Sequence, residues 1–272
     1  MPIRAILFDL DNTLLLEDEA TEQALALTSE LAARRSRADA GVVRTAAERT
    51  AEATLRASPS FAYADAIGIW WGEALWGEFA GDQPDLRALR AFVPGYRRAV
   101  WTQALAAAQV LDDGLANELA AAYPAFRRGM RPLDPAAEAT LDDLGRTYRL
   151  GLVTNGAADV QREKLAATAL GSRFSTIVIS SDVGVGKPDP AVFRAALEAL
   201  GVSADEAVMV GDSLERDIAG ARAAGVRSVW LARAGDTAPG GSAVPDAKIR
   251  DLGELRRALT DLERAVASPQ LA

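Results

Sequence analysis

Apolar residues in the second half of the chain fall into short unbroken runs, and each run is followed by a segment with helical spacing. The runs predict strands over Tyr148–Thr154, Thr176–Ser180, Ala207–Gly211 and Arg227–Ala232, and the intervening segments predict helices over Ala157–Ala169, Pro190–Leu200 and Leu214–Ala224. Continuous apolar strands that alternate with helices are typical of a parallel sheet covered on both faces. The run Ile3–Leu10 has the same character, so we expect it to join that sheet.

The first half of the chain instead places apolar residues at helical spacing, from about Glu17 to Phe126. Breaks between helices are predicted near Gly41, Ser58–Pro59, Gly81–Asp82, Pro94–Gly95 and Asp112–Gly114. A helical segment that follows the first strand indicates an insertion into the sheet domain. The predicted fold class is therefore α/β: a Rossmann-like parallel-sheet core formed by residues 1–15 and 131–272, with an inserted all-helical domain over residues 16–130.

The amino-acid composition limits which catalytic mechanisms are possible more than it limits which fold is possible. The 272 residues include no cysteine and no histidine, which excludes disulfides, thiolate nucleophiles and imidazole acid–base catalysis. The formal charge of −8 disfavours contact with a phosphate backbone, so no nucleic-acid partner is predicted. No apolar run approaches about 18 residues, and Asp9 and Asp11 interrupt the apolar N-terminus. We therefore predict no membrane partner and no signal peptide, and expect a cytoplasmic protein.

Two aspartates follow the first predicted strand, in the sequence Asp9-Leu10-Asp11-Asn12-Thr13. Ligands of parallel α/β proteins bind at the carboxyl ends of the strands. Side chains at i and i+2 share one face of a strand, which would bring the two carboxylates close together and favour a bound cation or a shared proton. One aspartate could then serve as a nucleophile and the other as an acid or base.

Three further motifs occupy the ends of later predicted strands. They are Thr154-Asn155-Gly156, Gly184–Pro190 with Lys187, and Gly211–Asp217 with Asp212 and Asp217. Each has a structural alternative: an Asn-Gly turn, a solvated loop lysine and acidic helix caps, respectively. Carboxylates, a lysine, a hydroxyl and an amide at one sheet edge nevertheless match a Mg²⁺-assisted phosphoryl-transfer site, and the combination favours that interpretation.

The four motifs, in this order, resemble those of the haloacid dehalogenase (HAD) superfamily. They read DLDNT at Asp9–Thr13, TNG at Thr154–Gly156, GKPDP at Gly186–Pro190 and GDSLERD at Gly211–Asp217. The helical insertion resembles the cap of the superfamily's subclass I. The resemblance implies a HAD-like core and a helical cap domain that decides which substrate is accepted.

The resemblance also implies a role for each motif residue. Asp9 would be the nucleophile that forms an aspartyl-phosphate. Asp11 would be the acid that protonates the leaving oxygen and then the base that activates water. Thr154, Asn155 and Lys187 would bind the transferring phosphoryl group.

A Mg²⁺ site is implied as well, with Asp9, the backbone carbonyl of Asp11, and Asp212 as ligands. Asp217 would lie behind the metal, where it either pairs with Lys187 or holds a metal-bound water. A phosphate dianion would be repelled by these aspartates, and Mg²⁺ together with Lys187 would offset that repulsion. The cofactor prediction is therefore Mg²⁺.

The predicted function is Mg²⁺-dependent hydrolysis of a small-molecule phosphate monoester. Sugar phosphates, nucleoside monophosphates and phosphoglycolate are the expected substrate types. The motif segments are similar to those of nucleoside-monophosphate and N-acylneuraminate-9-phosphate phosphatases. Asp11 favours a phosphatase because a halide leaving group needs no proton. A haloacid dehalogenase, a phosphomutase and a non-enzymatic binding protein are the alternatives, and no oligomeric state is predicted.

Overall fold

The computed structural model describes residues 2–233 and 243–267, which form two compact units. The sheet unit contains the described residues of Met1–Leu16, Leu133–Asn155 and Lys164–Ala272. The helical unit contains Glu17–Pro132 and Gly156–Glu163. No helix in the described part of the chain has the length and hydrophobicity needed to cross a bilayer.

Strands and helices alternate after residue 132, as the apolar pattern predicts. The strands are β1 (Ala5–Phe8), β2 (Arg149–Thr154), β3 (Thr176–Ile179), β4 (Ala207–Gly211), β5 (Arg227–Leu231) and β6 (Ala247–Ile249). The helices are α1 (Glu17–Ser36), α2 (Ala40–Arg56), α3 (Phe61–Ile67), α4 (Trp71–Ala74), α5 (Pro84–Ala107), α6 (Asp113–Arg128), α7 (Ala137–Leu144), α8 (Ala158–Thr168), α9 (Ser180–Val183), α10 (Pro190–Leu200), α11 (Ala219–Ala223) and α12 (Leu255–Ala267).

Within the described residues, six strands form one sheet in the order β3-β2-β1-β4-β5-β6, and every neighbouring pair is parallel. The first strand lies at its centre, where Leu7 is opposite Gly151 on β2 and Met209 on β4. Ile6 and Phe8 belong to the apolar core on one face, and Ala5 and Leu7 to the core on the other. The α/β class is thus confirmed, and the first strand joins the sheet as predicted.

Departures from the predicted elements of the sheet unit include a π-helical turn and a sixth strand. The chain forms a π-helical turn over Leu214–Ile218 before α11, where one α-helix is predicted. Strand β6 is not predicted, because its three residues include Lys248 and give too short an alternation to detect.

The helical unit has its own apolar core, in which α2 packs on α5 and α1 packs on α6. Trp76, Trp101 and Tyr96 are among its largest fully buried side chains. A buried ion pair between Glu17 and Arg127 joins the first and last of these helices, and the Arg127 guanidinium lies 5.0 Å from the Trp76 ring.

The predicted break at Pro94–Gly95 is wrong, because α5 runs through it. Pro94 and Gly95 are exposed, so the backbone carbonyl that loses its partner at Pro94 can be hydrated. Val93 and Tyr96 face the core and keep the helix in place. The break predicted near Gly41 lies slightly earlier, since Asp39 caps α2 by accepting a hydrogen bond of 2.8 Å from Val42 N.

Residues 156–163 pack with the helical unit although the sequence prediction assigned them to the core domain. Ala157 and Val160 are buried in the apolar core of the helical unit. The Gly156 N–H donates a 2.9 Å hydrogen bond to the Ile67 carbonyl. The sequence around this segment gives no sign of these contacts, because they join residues far apart along the chain.

Candidate active site

Asp9 lies at the carboxyl end of the central strand and is almost completely buried, with 6% of its surface exposed. Its backbone N–H continues the sheet pairing by donating to the Val210 carbonyl at 3.0 Å. The two carboxylate oxygens have different partners: Lys187 Nζ contacts Oδ1, and Thr13 Oγ1 donates to Oδ2 at 3.2 Å. Asp9 is therefore held in one orientation from both sides.

Lys187 is positioned by Asn155, which follows β2. The Lys187 N–H donates to Asn155 Oδ1 at 2.7 Å, and Asn155 Nδ2 donates to the Lys187 carbonyl at 3.0 Å. This reciprocal pair ties the loop after β3 to the end of β2. The buried Lys187 ammonium then contacts Asp9 and, at 2.7 Å, Asp217 Oδ1. The Asn155 and Lys187 motifs thus meet through hydrogen bonds to the backbone at Lys187. The Lys187 ammonium joins them to the Asp9 and Asp217 motifs through charge.

Asp212 and Asp217 are brought together by the turn after β4. Asp217 Oδ2 accepts a 3.0 Å hydrogen bond from Ser213 N. A Cβ atom at Gly211 would collide with the Asp217 carboxyl group, so only glycine allows this close approach. The Asp212 carbonyl accepts from Trp230 Nε1 at 2.7 Å, and its N–H donates to Thr13 Oγ1 at 3.1 Å.

The carboxylates of Asp9, Asp212 and Asp217 form a cluster suited to a hard cation. Among the described residues, one oxygen from each lies within 4.8 Å of the others. Burial, followed by repulsion from Asp9 and Asp217, raises the pKa of Asp212 to about 9. Burial, partly offset by Lys187, raises the pKa of Asp9 to about 6. The carboxylates are therefore under-compensated, and an oxygen-liganded divalent cation such as Mg²⁺ fits the donor set.

Lys187 itself stays charged. Burial disfavours its ammonium form, but the carboxylates of Asp217 and Asp9 outweigh burial and hold the pKa of Lys187 above its usual value. The ammonium is thus a permanent positive charge beside the Asp9 carboxylate.

Asp11 does not belong to the three-carboxylate cluster, although its charge helps to raise the pKa of Asp9. Strand β1 ends at Phe8, and Asn12 has a left-handed backbone with φ of 60°, so the alternation of a strand does not extend to Asp11. Lys164 Nζ instead contacts Asp11 Oδ1 at 3.0 Å and Oδ2 at 2.9 Å. Thr154 is buried at the end of β2, and its hydroxyl lies 3.3 Å from the Asn155 carbonyl.

Three residues at this sheet edge are not singled out by the sequence analysis. Thr13 bridges Asp9 and Asp212, and its place inside the first motif is a signal that could have identified it. Arg233, just beyond β5, donates to the carbonyls of Asn12 and Thr13 at 3.0 and 3.1 Å. Lys164 lies within a helix, where no local motif marks it.

Comparison with known proteins connects this geometry to a family. Residues 3–225 match the haloacid dehalogenase-like hydrolases. A phosphoserine phosphatase of Thermus thermophilus is 41% identical over 255 residues, which cover 93% of this chain and 98% of that protein. An N-acylneuraminate-9-phosphatase of Rattus norvegicus is 32% identical over 174 residues, which cover 63% of this chain and 70% of that protein.

A solved structure gives the same fold. The HAD-hydrolase YfnB of Bacillus subtilis, described as bound to magnesium, aligns with a TM-score of 0.61 and 23% identity. The alignment covers 95% of this chain and 99% of the other. At this identity the likeness supports the architecture only.

Proposed function

This chain belongs to the haloacid dehalogenase-like hydrolase family, and we propose that it hydrolyses a small-molecule phosphate monoester through a phosphorylated Asp9, with Mg²⁺ as its metal. One observation carries the proposal: a buried carboxylate at the centre of the sheet edge, held on one oxygen by Lys187 and on the other by Thr13. This arrangement suits a nucleophile, because its orientation is set before the substrate arrives.

The reaction is a double displacement at phosphorus. An Asp9 oxygen forms a bond to phosphorus while the bond from phosphorus to the ester oxygen breaks, and Asp11 gives a proton to the departing oxygen. Water then attacks the phosphorylated Asp9, Asp11 accepts a proton from that water, and inorganic phosphate leaves with Asp9 restored. The balance is one ester and one water consumed, and one alcohol and one phosphate released.

Other residues of the edge would hold the phosphoryl group. The Thr154 hydroxyl and the Asn155 amide follow β2, and Lys187 provides an ammonium beside the nucleophile. These groups are suited to the equatorial oxygens, on which negative charge is carried during transfer. Asn155 has a second task, since it anchors the backbone at Lys187.

Asp9 and Asp212, with the backbone carbonyl of Asp11, would hold Mg²⁺. When bound, the ion neutralises charge on the carboxylates and on the phosphoryl oxygens. Asp217 is closer to the other carboxylates than the sequence suggests, and its ion pair with Lys187 gives it the task of holding that lysine in place.

A phosphorylated amino acid is the substrate class that the similarity to the phosphoserine phosphatase of Thermus thermophilus favours. That protein is 41% identical to this chain over 255 residues, which cover 98% of its length.

Release of inorganic phosphate tests the proposed function. The purified protein is incubated with L-phosphoserine, sugar phosphates, nucleoside monophosphates, phosphoglycolate and p-nitrophenyl phosphate, in the presence of either Mg²⁺ or EDTA. We expect Mg²⁺-dependent release, with L-phosphoserine giving the highest kcat/KM. Absence of release from every ester would contradict the phosphatase proposal. A ranking led by sugar phosphates or nucleotides would contradict only the substrate class.

The role of Asp11 predicts a dependence on the leaving group. Asp11→Asn should lower kcat/KM for an alkyl phosphate such as L-phosphoserine by about 10²-fold or more. The loss of kcat/KM should be much smaller for p-nitrophenyl phosphate, whose leaving group departs without a proton. Initial rates at low ester concentration measure kcat/KM, which reports phosphorylation of Asp9 and not the later attack of water. Equal losses with the two esters would show that Asp11 is not the acid.

A further inference from the structure

We propose that Lys164 is a positioning residue, which holds the carboxylate of Asp11 in the orientation needed for proton transfer. The inference rests on the proposed phosphatase function. It adds a task for a buried lysine that belongs to none of the four motifs.

The contact is close and two-sided. Lys164 Nζ lies 3.0 Å from Asp11 Oδ1 and 2.9 Å from Oδ2. The lysine side chain is 3% exposed and that of Asp11 is 25% exposed. Lys164 is therefore anchored in the protein, while the carboxylate that it holds is accessible to a substrate or to water.

Asp11 needs such an anchor because the sheet does not provide one. It follows the end of β1, and the next residue, Asn12, adopts a left-handed conformation. The side chain is thus outside the regular strand pairing that holds Asp9. A single ammonium that contacts both oxygens restricts rotation of the carboxylate. A carboxylate has about four lone-pair positions, so positions for a proton remain when Lys164 occupies two of them.

The use of lysine in this chain adds a second argument. Of the 30 basic residues only Lys164, Lys187 and Lys248 are lysines, and all the others are arginines. Two of the three are buried, and each of these pairs with a different aspartate of the first motif: Lys187 with Asp9, and Lys164 with Asp11. A buried ammonium is costly unless paired. The proposed nucleophile and the proposed proton carrier are thus each paired with an ammonium group of their own.

A double-variant cycle tests the inference. The proteins are wild type, Lys164→Met, Asp11→Asn and the double variant, each assayed with L-phosphoserine and with p-nitrophenyl phosphate. Loss of orientation should lower kcat/KM of Lys164→Met for L-phosphoserine by about 10- to 100-fold, with little change in KM. We expect less than about a 3-fold effect on kcat/KM for p-nitrophenyl phosphate, because its leaving group needs no proton and kcat/KM does not include the later attack of water. In the Asp11→Asn background, Lys164→Met should cause no further loss, because both changes act on the same proton transfer.

Lys248→Met is the matched control. Lys248 is exposed, and its ammonium lies 4.4 Å from the centre of the Trp230 ring, so its loss should leave both activities unchanged. Urea unfolding establishes that each variant is folded. If Lys164→Met does not fold, Lys164→Gln replaces it, since its amide keeps one donor and should restore part of kcat.

Several outcomes would overturn the inference. One such outcome is a double variant whose loss of activity is the product of the two single losses. Others are equal losses with the two esters and a higher KM at unchanged kcat. Each would show that Lys164 acts on the substrate or on the fold rather than through Asp11. An active wild type that is unaffected by Lys164→Met would overturn this inference alone. A wild type that releases no phosphate from either ester would overturn the proposed function as well.

Discussion

At Asp9, position and charge act together. The side chain follows the central strand, and its two oxygens contact Lys187 and Thr13. Lys187 also contacts Asp217, which prevents the ammonium from turning away. The nucleophile proposed for this enzyme is thus fixed by residues from three separate parts of the chain.

Replacing the Asp9 carboxylate by an amide removes the proposed nucleophile with little change in shape. Asp9→Asn should lower kcat by at least about 10³-fold with every ester. Phosphate release measures the loss, and urea unfolding shows whether the fold is kept. Activity close to wild type in a pure, folded Asp9→Asn protein would contradict a covalent mechanism at this residue.

The turn that follows β4 depends on two features, a π-helical hydrogen bond and the absence of a side chain at Gly211. The N–H of Ile218 reaches the Ser213 carbonyl at 3.1 Å, which is the wider spacing of a π-helical turn. This turn brings Asp217 against Gly211. A carboxylate of the proposed site is therefore placed by an irregular element that helical periodicity does not reveal.

Two glycine substitutions should have opposite effects on the free energy of unfolding. Gly211→Ala places a methyl group against the Asp217 carboxyl group, so we expect a loss of about 1–3 kcal/mol and lower phosphatase activity. Gly95→Ala lies on the exposed face of α5 with no atom within 4 Å of the new methyl group. It should stabilise by about 0.5–1 kcal/mol. Urea unfolding compares the two, and equal effects would contradict this account of the turn.

Across the whole molecule, the parallel sheet concentrates negative charge at one edge of a chain whose net charge is already −8. Burial and mutual repulsion raise the pKa of Asp9 to about 6 and that of Asp212 to about 9, from 3.8 in the unfolded chain. The folded state therefore binds more protons than the unfolded state between these values. The contribution of both groups to stability is present below pH 3.8 and is lost as pH rises through about 6 and 9.

Mg²⁺ should reduce the repulsion among these carboxylates most at pH values at which they are ionised. We expect the rise in Tm caused by Mg²⁺, relative to EDTA, to be larger at pH 8 than at pH 5, because protons compete with the ion at low pH. Thermal unfolding of wild type and Asp212→Asn at both pH values measures the effect. The variant should show a smaller rise at pH 8. A rise that is independent of pH in the wild type would contradict binding of the ion at this cluster.

The sequence by itself determined the regular elements wherever local signals agree. Helix α10 has the predicted bounds, because Asp189 caps it, Pro190 begins it and Gly201 ends it in a left-handed conformation. The fold class followed from the apolar strands, and the order of the four motifs indicated the family. Pro94 misled the prediction because a proline on an exposed helix face costs little when the opposite face is packed.

Only the tertiary structure decided which residues meet. Local sequence placed Asp9, Lys187, Asp212 and Asp217 at strand ends, and their roles stay predictions. It could not show that Lys164 holds Asp11, a pair separated by 153 positions, or that residues 156–163 pack with the helical unit. The periodicity of apolar residues indicates which face of a helix or strand is buried, and short sequence motifs indicate the local backbone conformation. The partner of a buried charge depends on side-chain direction and on distant elements, and those are fixed only when the chain folds.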